Sequence, residues 1–315
     1  INDRVVDVAV LAGNPSVVDA IAAAQRSRKG LDDAVVTARV GKVVSAWETP
    51  QVGPLVKEIL SSPTSQVLQH YREAEPRILK ILVADETGAT VAATDKPLHY
   101  VQPNEVYWQA VYGEGRGGTY VSEIRYDDQT RAHYLEIGLP VLEEGTHRFI
   151  GAVDALVDVT SLLSRFQRSE LGKTARIMLV QDDGTVISAS NMDPSLRLKA
   201  SEYPTVHDAL GTLQGRQAGY AVASMRGGGR IVGFADTGLK RIYPNLGWLI
   251  LVSQDEQQAL APLLGLGHFA LVMVVLALLM LTLLAAYFFL HRRQRFEDIQ
   301  VGADEEPPSR GATAA

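Results

Sequence analysis

The chain has 315 residues, 46% of them hydrophobic, which is enough apolar material for about two folded domains and excludes a disordered chain. Its formal net charge is only -6, and with no basic face to neutralise phosphates, nucleic acid is not an expected partner. It contains no cysteine, which excludes disulfides, zinc-thiolate sites, iron-sulfur ligation and thiol nucleophiles.

The first part of the chain, residues 1–75, predicts helix. Val5, Val8 and Ala12 recur at helical spacing, and the sequence AsnProSer at 14–16 restarts a helix. Further helical pieces follow, punctuated by glycine and proline. We therefore expect a long N-terminal helix that is interrupted at these points.

Two later stretches predict the same strand, turn and strand. Residues 81–95 read ILVADETGATVAATD and residues 177–191 read IMLVQDDGTVISASN, with Gly88 and Gly184 at corresponding turn positions. Each copy follows a helical stretch and precedes further strands. The sequence therefore predicts an α+β fold in which the N-terminal helix leads into two tandem antiparallel-sheet modules.

A charge-free run of twenty residues, LVMVVLALLMLTLLAAYFFL, occupies positions 271–290. At about 1.5 Å rise per residue, it matches the roughly 30 Å hydrocarbon core of a bilayer. His291, Arg292, Arg293 and Arg295 follow it, and positive residues mark the cytoplasmic side of a span. We expect a bacterial inner-membrane protein with its main domain outside the cytoplasm, and an export signal or first transmembrane helix upstream of this numbering.

These patterns divide the chain into five predicted parts. They are a helical region at 1–75, a membrane-distal module at 76–165, a membrane-proximal module at 166–258, a transmembrane helix with its lead-in at 259–290, and a cytoplasmic tail at 291–315. The tail is rich in proline, glycine and alanine, a composition that predicts a flexible segment.

Five sequence stretches between the helical region and the span carry a family resemblance. They are LVADETGATVAAT at 82–94, NEVYWQAVY at 104–112, GGTYVSEIRYD at 117–127, EIGLPV at 136–141 and GWLILVSQDE at 247–256. In order and topology the chain resembles the double Cache (dCache, tandem PAS-like) ectodomains of bacterial chemoreceptors, histidine kinases and related membrane proteins. The resemblance covers nearly all of residues 1–263.

The resemblance implies a small ligand in the membrane-distal module, between its sheet and the helix that follows the first hairpin. Amino-acid-binding members carry there a tyrosine, an arginine five residues later, and then a tryptophan and a tyrosine. This chain has Tyr100, then Glu105 at the arginine position, then Tyr107 and Trp108.

A later strand of those members supplies an aspartate for the amino group of the ligand. Here Leu156 stands at that position, and Asp154 lies two residues earlier. With both charge partners changed, we expect a neutral or cationic ligand and not an ordinary α-amino acid.

Aromatic residues with polar tips cluster in the same region and suit the wall of a ligand pocket. We predict a ligand site centred on Trp108. Its candidate residues are Tyr100, Glu105, Tyr107, Trp108, Tyr120, Arg125 and Asp127. The alternative is that Trp108 and Tyr112, four residues apart on one helix, pack on the sheet as core, and that the charged members are solvated surface groups.

No motif predicts catalysis, a metal or a cofactor. The glycine-rich stretch at 113–118 matches G-x-G-x-x-G, but it follows a helix and precedes a strand, the reverse of the dinucleotide-binding order. The histidines show no metal-ligand spacing. We expect a protein that is not an enzyme.

Two functions remain open. The first is ligand sensing, in which a bound small molecule shifts the module between two packings. The second is a non-catalytic accessory or scaffolding subunit of a transport, electron-transfer or light-harvesting complex. The few residues after Arg295, where family sensors continue into an output domain, favour the second. Either function predicts a membrane-protein partner or a homodimer, and small residues such as Ala277 and Ala285 favour close helix approach in the bilayer.

Overall fold

The computed structural model describes residues 1–48, 53–127, 130–167, 174–189, 198–212, 217–225 and 228–301. The chain forms two compact units, Ile1–Gln254 and Asp255–Ala315. The α+β class predicted from the sequence is confirmed.

The N-terminal region is helical, and the expected long helix is divided at capping residues. Its helices are α1 (Asn2–Ala12), α2 (Pro15–Arg28), α3 (Asp33–Trp47), α4 (Pro54–Leu60) and α5 (Pro63–Ala74). The carboxamide oxygen of Asn14 accepts the backbone N–H of Ser16 at 2.9 Å, which is the cap that AsnProSer predicts at the start of α2.

The first sheet is antiparallel. Its strands are β1 (Ile78–Asp85), β2 (Thr90–Ala93), β3 (Tyr120–Val121), β4 (Arg125–Asp127), β5 (Ala132–Leu142) and β6 (Phe149–Asp158). They follow the order β2-β1-β6-β5-β3, and β4 also pairs with β5. Helix α6 (Val106–Tyr112) stands between β2 and β3 in the chain.

The second sheet repeats this design. After α7 (Thr160–Gln167) come β7 (Arg176–Gln181), β8 (Val186–Ala189), α8 (Tyr203–Thr212), β9 (Ala218–Met225), β10 (Gly228–Asp236) and β11 (Trp248–Asp255). Their order, β8-β7-β11-β10-β9, matches that of the first sheet. Gly88 and Gly184 have φ of 81° and 83° in the two equivalent turns, a backbone conformation that favours glycine.

Alternate residues of the first sheet enter different cores. Val83 and Val153 face a large cluster that includes Val8 of α1 and extends to Trp248 of the second sheet. On the other face, Leu82 packs in a smaller cluster with residues of α6. The period of two expected of strands therefore assigns one face to the shared core and the other to α6.

The second unit contains one long helix, α9 (Glu256–Val301). Its segment Phe269–Leu290 is long and apolar enough to cross a membrane and includes the predicted span. The helix continues through the start of the predicted tail, while residues 302–315 lie outside the described residues.

Gly138 of β5 sets how closely α6 approaches the sheet. A β-carbon there would lie 2.8 Å from Cγ2 of Val111 and 3.3 Å from Cδ2 of Tyr107. We predict that Gly138→Ala lowers the free energy of unfolding by about 1–3 kcal/mol, because the stiff Val111 side chain cannot yield without moving α6. Thermal unfolding of the full-length protein in mild detergent measures the change.

The matched control is Gly41→Ala in α3, where no atom beyond the adjacent residues and nearby backbone of the helix itself lies within 4 Å of the new β-carbon. This change should stabilise the protein by up to about 1 kcal/mol, because alanine is the better helix former. A Gly138→Ala protein as stable as the wild type would contradict the tight packing of α6.

Candidate functional site

A cavity of about 250 Å³ lies on the α6 side of the first sheet. The sheet supplies part of its wall, and the segment between β2 and α6 supplies most of the rest. Its polar and charged lining residues are Lys80, Asp95, Lys96, His99, Gln102, Glu105, Tyr107, Arg125, Tyr134, Glu136 and Asp154.

Strand register brings the sheet residues of this wall together. In β6, Asp154 pairs with Leu82 of β1 on one side and with Gly138 of β5 on the other. Two residues on, Leu156 pairs in the same way with Lys80 and Glu136. Since residues two apart in a strand share a face, these side chains form two adjacent rows on one side of the sheet.

Asp154 brings a buried carboxyl group to the cavity. It is only 8% exposed, and its Oδ1 has no hydrogen-bond partner in the described part of the chain. Burial raises the pKa of this carboxyl well above its usual value, and the negative charges of Glu136 and Glu105 raise it further. Its immediate partners across the sheet are a leucine and a glycine, which offer no counter-charge.

Tyr107 brings a second buried polar atom to the cavity. The side chain is 3% exposed, and among the described residues its hydroxyl has no partner. Its ring lies against the position of Gly138, which is directly opposite Asp154 in the register. Burial, and next the charge of Asp154, raise the pKa of the Tyr107 phenol, so this hydroxyl is a donor at any physiological pH.

Glu136 and Arg125 form the ion pair of the cavity. The guanidinium Nη1 of Arg125 lies 3.2 Å from Oε2 of Glu136. Burial raises the pKa of the Glu136 carboxyl, the charge of Arg125 opposes that rise, and the charge of Glu105 adds to it. The paired carboxylate of Glu136 therefore lies in the same cavity wall as Asp154 Oδ1, which has no hydrogen-bond partner among the described residues.

Of the candidate residues predicted from the sequence, the structure places Glu105, Tyr107 and Arg125 in the cavity wall. Tyr120, 6% exposed, and Trp108, 4% exposed, lie in the core cluster under α6.

The Trp108 ring stacks on Tyr112 with centroids 6.4 Å apart and meets the Phe149 ring edge-on at 5.7 Å. This is the packing that the core alternative described for Trp108 and Tyr112. Trp108 is therefore a neighbour of the cavity in the chain and is not part of its lining.

The remaining two candidates lie apart from the cavity lining. Tyr100 packs on Trp47 at 5.3 Å between ring centroids and lines a separate cavity of about 160 Å³. Asp127 in β4 accepts a hydrogen bond from the Thr130 hydroxyl at 3.0 Å, and its Oδ2 is 3.9 Å from Nζ of Lys80.

Asp154 and Glu136 were missed as site residues, although the sequence carried a signal for both. Each is an acidic residue inside a run of apolar residues that forms a central strand. Acidic side chains are seldom buried unless they are paired, so an acidic residue at such a position is a candidate site residue. Leu156, expected at the position of the family's aspartate, and Asp154, two residues earlier, both line this cavity.

A larger cleft of about 410 Å³ lies between the first sheet and the turn joining β7 and β8. Residues 123–126 form one wall, and Asp182 and Asp183 contribute to the other. Arg125 lines both this cleft and the smaller cavity. The segment around β4 is therefore shared between the cavity and the junction of the two sheets.

A match to a family sequence model agrees with this architecture. Residues 19–263 match the sequence model of dCache_1, described as a Cache domain, and the chain therefore belongs to the Cache domain family. No curated protein sequence matches the chain.

Solved structures with a similar fold include three sensor domains. The ligand-binding domain of the Pseudomonas aeruginosa amino acid chemoreceptor PctB with L-Arg is 18% identical, with a TM-score of 0.44, covering 71% of this chain and 88% of that one. The ligand-binding domain of the chemoreceptor PctC from the same organism, in complex with GABA, is 15% identical, with a TM-score of 0.44, covering 70% of this chain and 88% of that one.

The sensor domain of the Vibrio (V. cholerae) histidine kinase DctB is 14% identical, with a TM-score of 0.40, covering 78% of this chain and 86% of that one. At these identities and scores, no ligand and no residue role is carried over to this chain.

The raised pKa of Asp154 makes a prediction about stability. Between the usual aspartate pKa of about 3.9 and the raised value, the folded protein binds more protons than the unfolded one, so stability is lost as the pH rises through this window. Asp154→Asn removes that loss, and we predict a higher melting temperature for the empty protein at pH 7. The gain should be about 2–4 °C per kcal/mol recovered, and it should shrink as the pH is lowered.

Asp158→Asn is the control for this measurement. It is the same substitution in the same strand, at a carboxylate that accepts the backbone N–H of Thr160 at 2.7 Å, which asparagine can also do. An Asp154→Asn protein that is less stable than the wild type at pH 7 would show that the buried carboxylate is satisfied.

Proposed function

We propose that this chain is a sensor subunit whose membrane-distal module binds a small molecule in the cavity at Asp154. The observation that carries the proposal is that the Tyr107 hydroxyl and Asp154 Oδ1, on two residues of the cavity wall, are both buried with no hydrogen-bond partner among the described residues. Leaving such groups unpaired costs about 1–3 kcal/mol each, more for a charged group. A ligand that hydrogen-bonds to both groups would recover this free energy, whereas in a scaffold without a ligand both groups would stay unpaired.

The family supports the same function. Cache sensor domains are non-catalytic ligand-binding modules. We propose that this chain likewise binds its ligand without converting it, and that the division into modules at 76–165 and 166–258 separates a binding module from a transmitting one.

Arg125 offers a route from ligand to second module. A ligand that competes for Glu136 loosens the ion pair and leaves the guanidinium beside the cleft that contains Asp182 and Asp183. Ligand binding would then alter how the two sheets meet. Since β11 runs directly into α9 in the chain, a change in the second sheet would reach the start of the membrane helix.

We further propose that α9 anchors the protein in the bacterial inner membrane, with the modules outside and the tail inside. The apolar segment Phe269–Leu290 and the arginines that follow it support this orientation. A membrane-protein partner or a second copy of the chain would receive the signal at this helix.

A ligand present at one hundred times its dissociation constant should stabilise the protein by about 2.7 kcal/mol, which corresponds to roughly 5–10 °C in melting temperature. We predict that a thermal-shift screen of small metabolites on the full-length protein finds such a compound. Leu156→Trp, which fills the cavity, should abolish its shift. Val222→Trp, a similar enlargement at a 51% exposed position of β9, should preserve it.

A compound whose shift survives Leu156→Trp would place the ligand site elsewhere. If no metabolite produces a shift that Leu156→Trp removes, the sensor proposal fails.

The membrane orientation is tested with a tag placed after Ala315. In cells with an intact, accessible outer face of the inner membrane, added protease should digest the modules and spare the tag. Cleavage of the tag with protection of the modules would reverse the proposed orientation.

A further inference from the structure

Residues 95–99, which follow β2 and precede Tyr100, form a strap along one side of the cavity. All five line the cavity, and none of them is buried. Leu98 is 84% exposed although its side chain is apolar. The strap is therefore not held in place by a hydrophobic core of its own, and its position depends on the contacts that it makes with other elements.

Hydrogen bonds join the two ends of the strap to the rest of the module. At one end, Oδ2 of Asp95 accepts from Nη1 of Arg72 in α5 at 2.7 Å. Just after the other end, the carbonyl oxygen of Tyr100 accepts from the backbone N–H of Thr90 at 2.9 Å and from its hydroxyl at 2.7 Å. Because both ends are tied, displacement of the strap is confined to the residues between them, as in a hinged lid.

The middle of the strap is held by Trp47, the last residue of α3. Its indole Nε1 donates to the carbonyl oxygen of Pro97 at 2.8 Å, and its ring packs on that of Tyr100 with centroids 5.3 Å apart. Nζ of Lys96 lies 6.0 Å from the centre of the same indole ring, within the range of a cation–π contact. Since Trp47 is only 1% exposed, the exposed strap packs on a buried side chain from a distant part of the chain.

A cavity beside these two rings leaves them room to move. Its volume is about 160 Å³, and it is lined by Tyr100 and by Val36, Val40 and Val43 of α3. Close-packed interiors resist displacement of their side chains. Because Tyr100 borders a cavity, the contact between Trp47 and Tyr100 can rearrange without displacing a packed core.

We propose that the strap is the gate of the ligand cavity and that Trp47 is the positioning residue that holds it shut. This inference rests on the proposed function, since it describes how a ligand enters and leaves the same cavity. When the hydrogen bond from Trp47 to Pro97 breaks, the strap moves away from the sheet about its two tied ends. Leu82, which lines the cavity and is only 8% exposed, then becomes accessible.

The hydrogen bond from Trp47 to Pro97 sets how often the gate opens. An ordinary hydrogen bond contributes a modest net free energy, which keeps the strap mostly shut and still allows it to open. Replacing Trp47 by phenylalanine keeps an aromatic ring beside Tyr100 and removes the donor to Pro97. The open population should then rise about two- to tenfold, the factor expected for the loss of one hydrogen bond.

Thiol labelling tests the gate without any ligand. The chain has no cysteine, so one introduced thiol reports on one position. Leu82→Cys places a thiol in the cavity wall, whereas Val83→Cys, at the next residue of β1, places it in the large core, where Val83 is 0% exposed. Both proteins are reacted, at full length in mild detergent, with dithiodipyridine, a neutral aromatic disulfide whose reaction with thiols is followed by absorbance.

The measured quantity is the labelling rate of the Leu82→Cys protein divided by that of the Val83→Cys protein. We expect Trp47→Phe to raise this ratio about two- to tenfold. The Val83→Cys thiol reacts only when the core opens, so dividing by its rate removes any general loss of stability. Trp248→Phe is the matched control and should leave the ratio unchanged, because the indole N–H that it removes has no partner in the described part of the chain.

The inference is overturned if Trp47→Phe leaves the ratio unchanged, whether neither rate moves or both rise together. It is also overturned if the Leu82→Cys thiol, with Trp47 in place, reacts as fast as that of Val222→Cys at an exposed position of β9, since the cavity would then have no gate. A ligand whose thermal shift Leu156→Trp abolishes would keep the site even where these rates reject the gate. A raised ratio with no ligand found would support the gate and leave the sensor proposal to fail by itself.

Discussion

The pairing of β1, β6 and β5 is the constraint on which the site depends. Because side chains alternate between faces, the register that turns Asp154 toward the cavity also turns Val153 and Ala155 into the large core. A slip of one residue would exchange these two sets and place a carboxyl among aliphatic side chains. The core on one face therefore fixes the acidic group on the other.

The same core explains why the two sheets form one compact unit. The cluster that holds Val153 also contains Val8 of the N-terminal helices and Trp248 of the second sheet. Burial of this shared core can offset the free-energy cost of an unpartnered carboxyl oxygen. That cost is small against the total stabilisation from the buried apolar area. Arg125 of β4 lines both the cavity and the cleft, and the preceding Ile124 packs against this shared core.

The repeated hairpins, the helical start and the apolar segment could be predicted from the sequence, because turn glycines and hydrophobic periods are local signals. The lining of the cavity could be predicted only in part. Tyr107 and Trp108 are adjacent on α6 and differ by about 100° around the helix axis, so one lines the cavity while the other packs on Phe149. Which of them faces the cavity depends on how α6 sits on Gly138, a long-range contact.

Leu156 and Asp154 show the same limit in a strand. They share a face, and only the pairing with β1 and β5 reveals that both reach the cavity.

The protonation state of Asp154 in the empty protein is the most direct test of whether its carboxyl is buried as the structure places it. Infrared difference spectra of the full-length protein and Asp154→Asn, recorded as the pH is raised, should show a protonated-carboxyl C=O band that the variant lacks and that persists above the usual aspartate pKa of about 3.9. Loss of this band at the usual aspartate pKa would show an ordinary, solvated carboxyl and would contradict the buried position of Asp154.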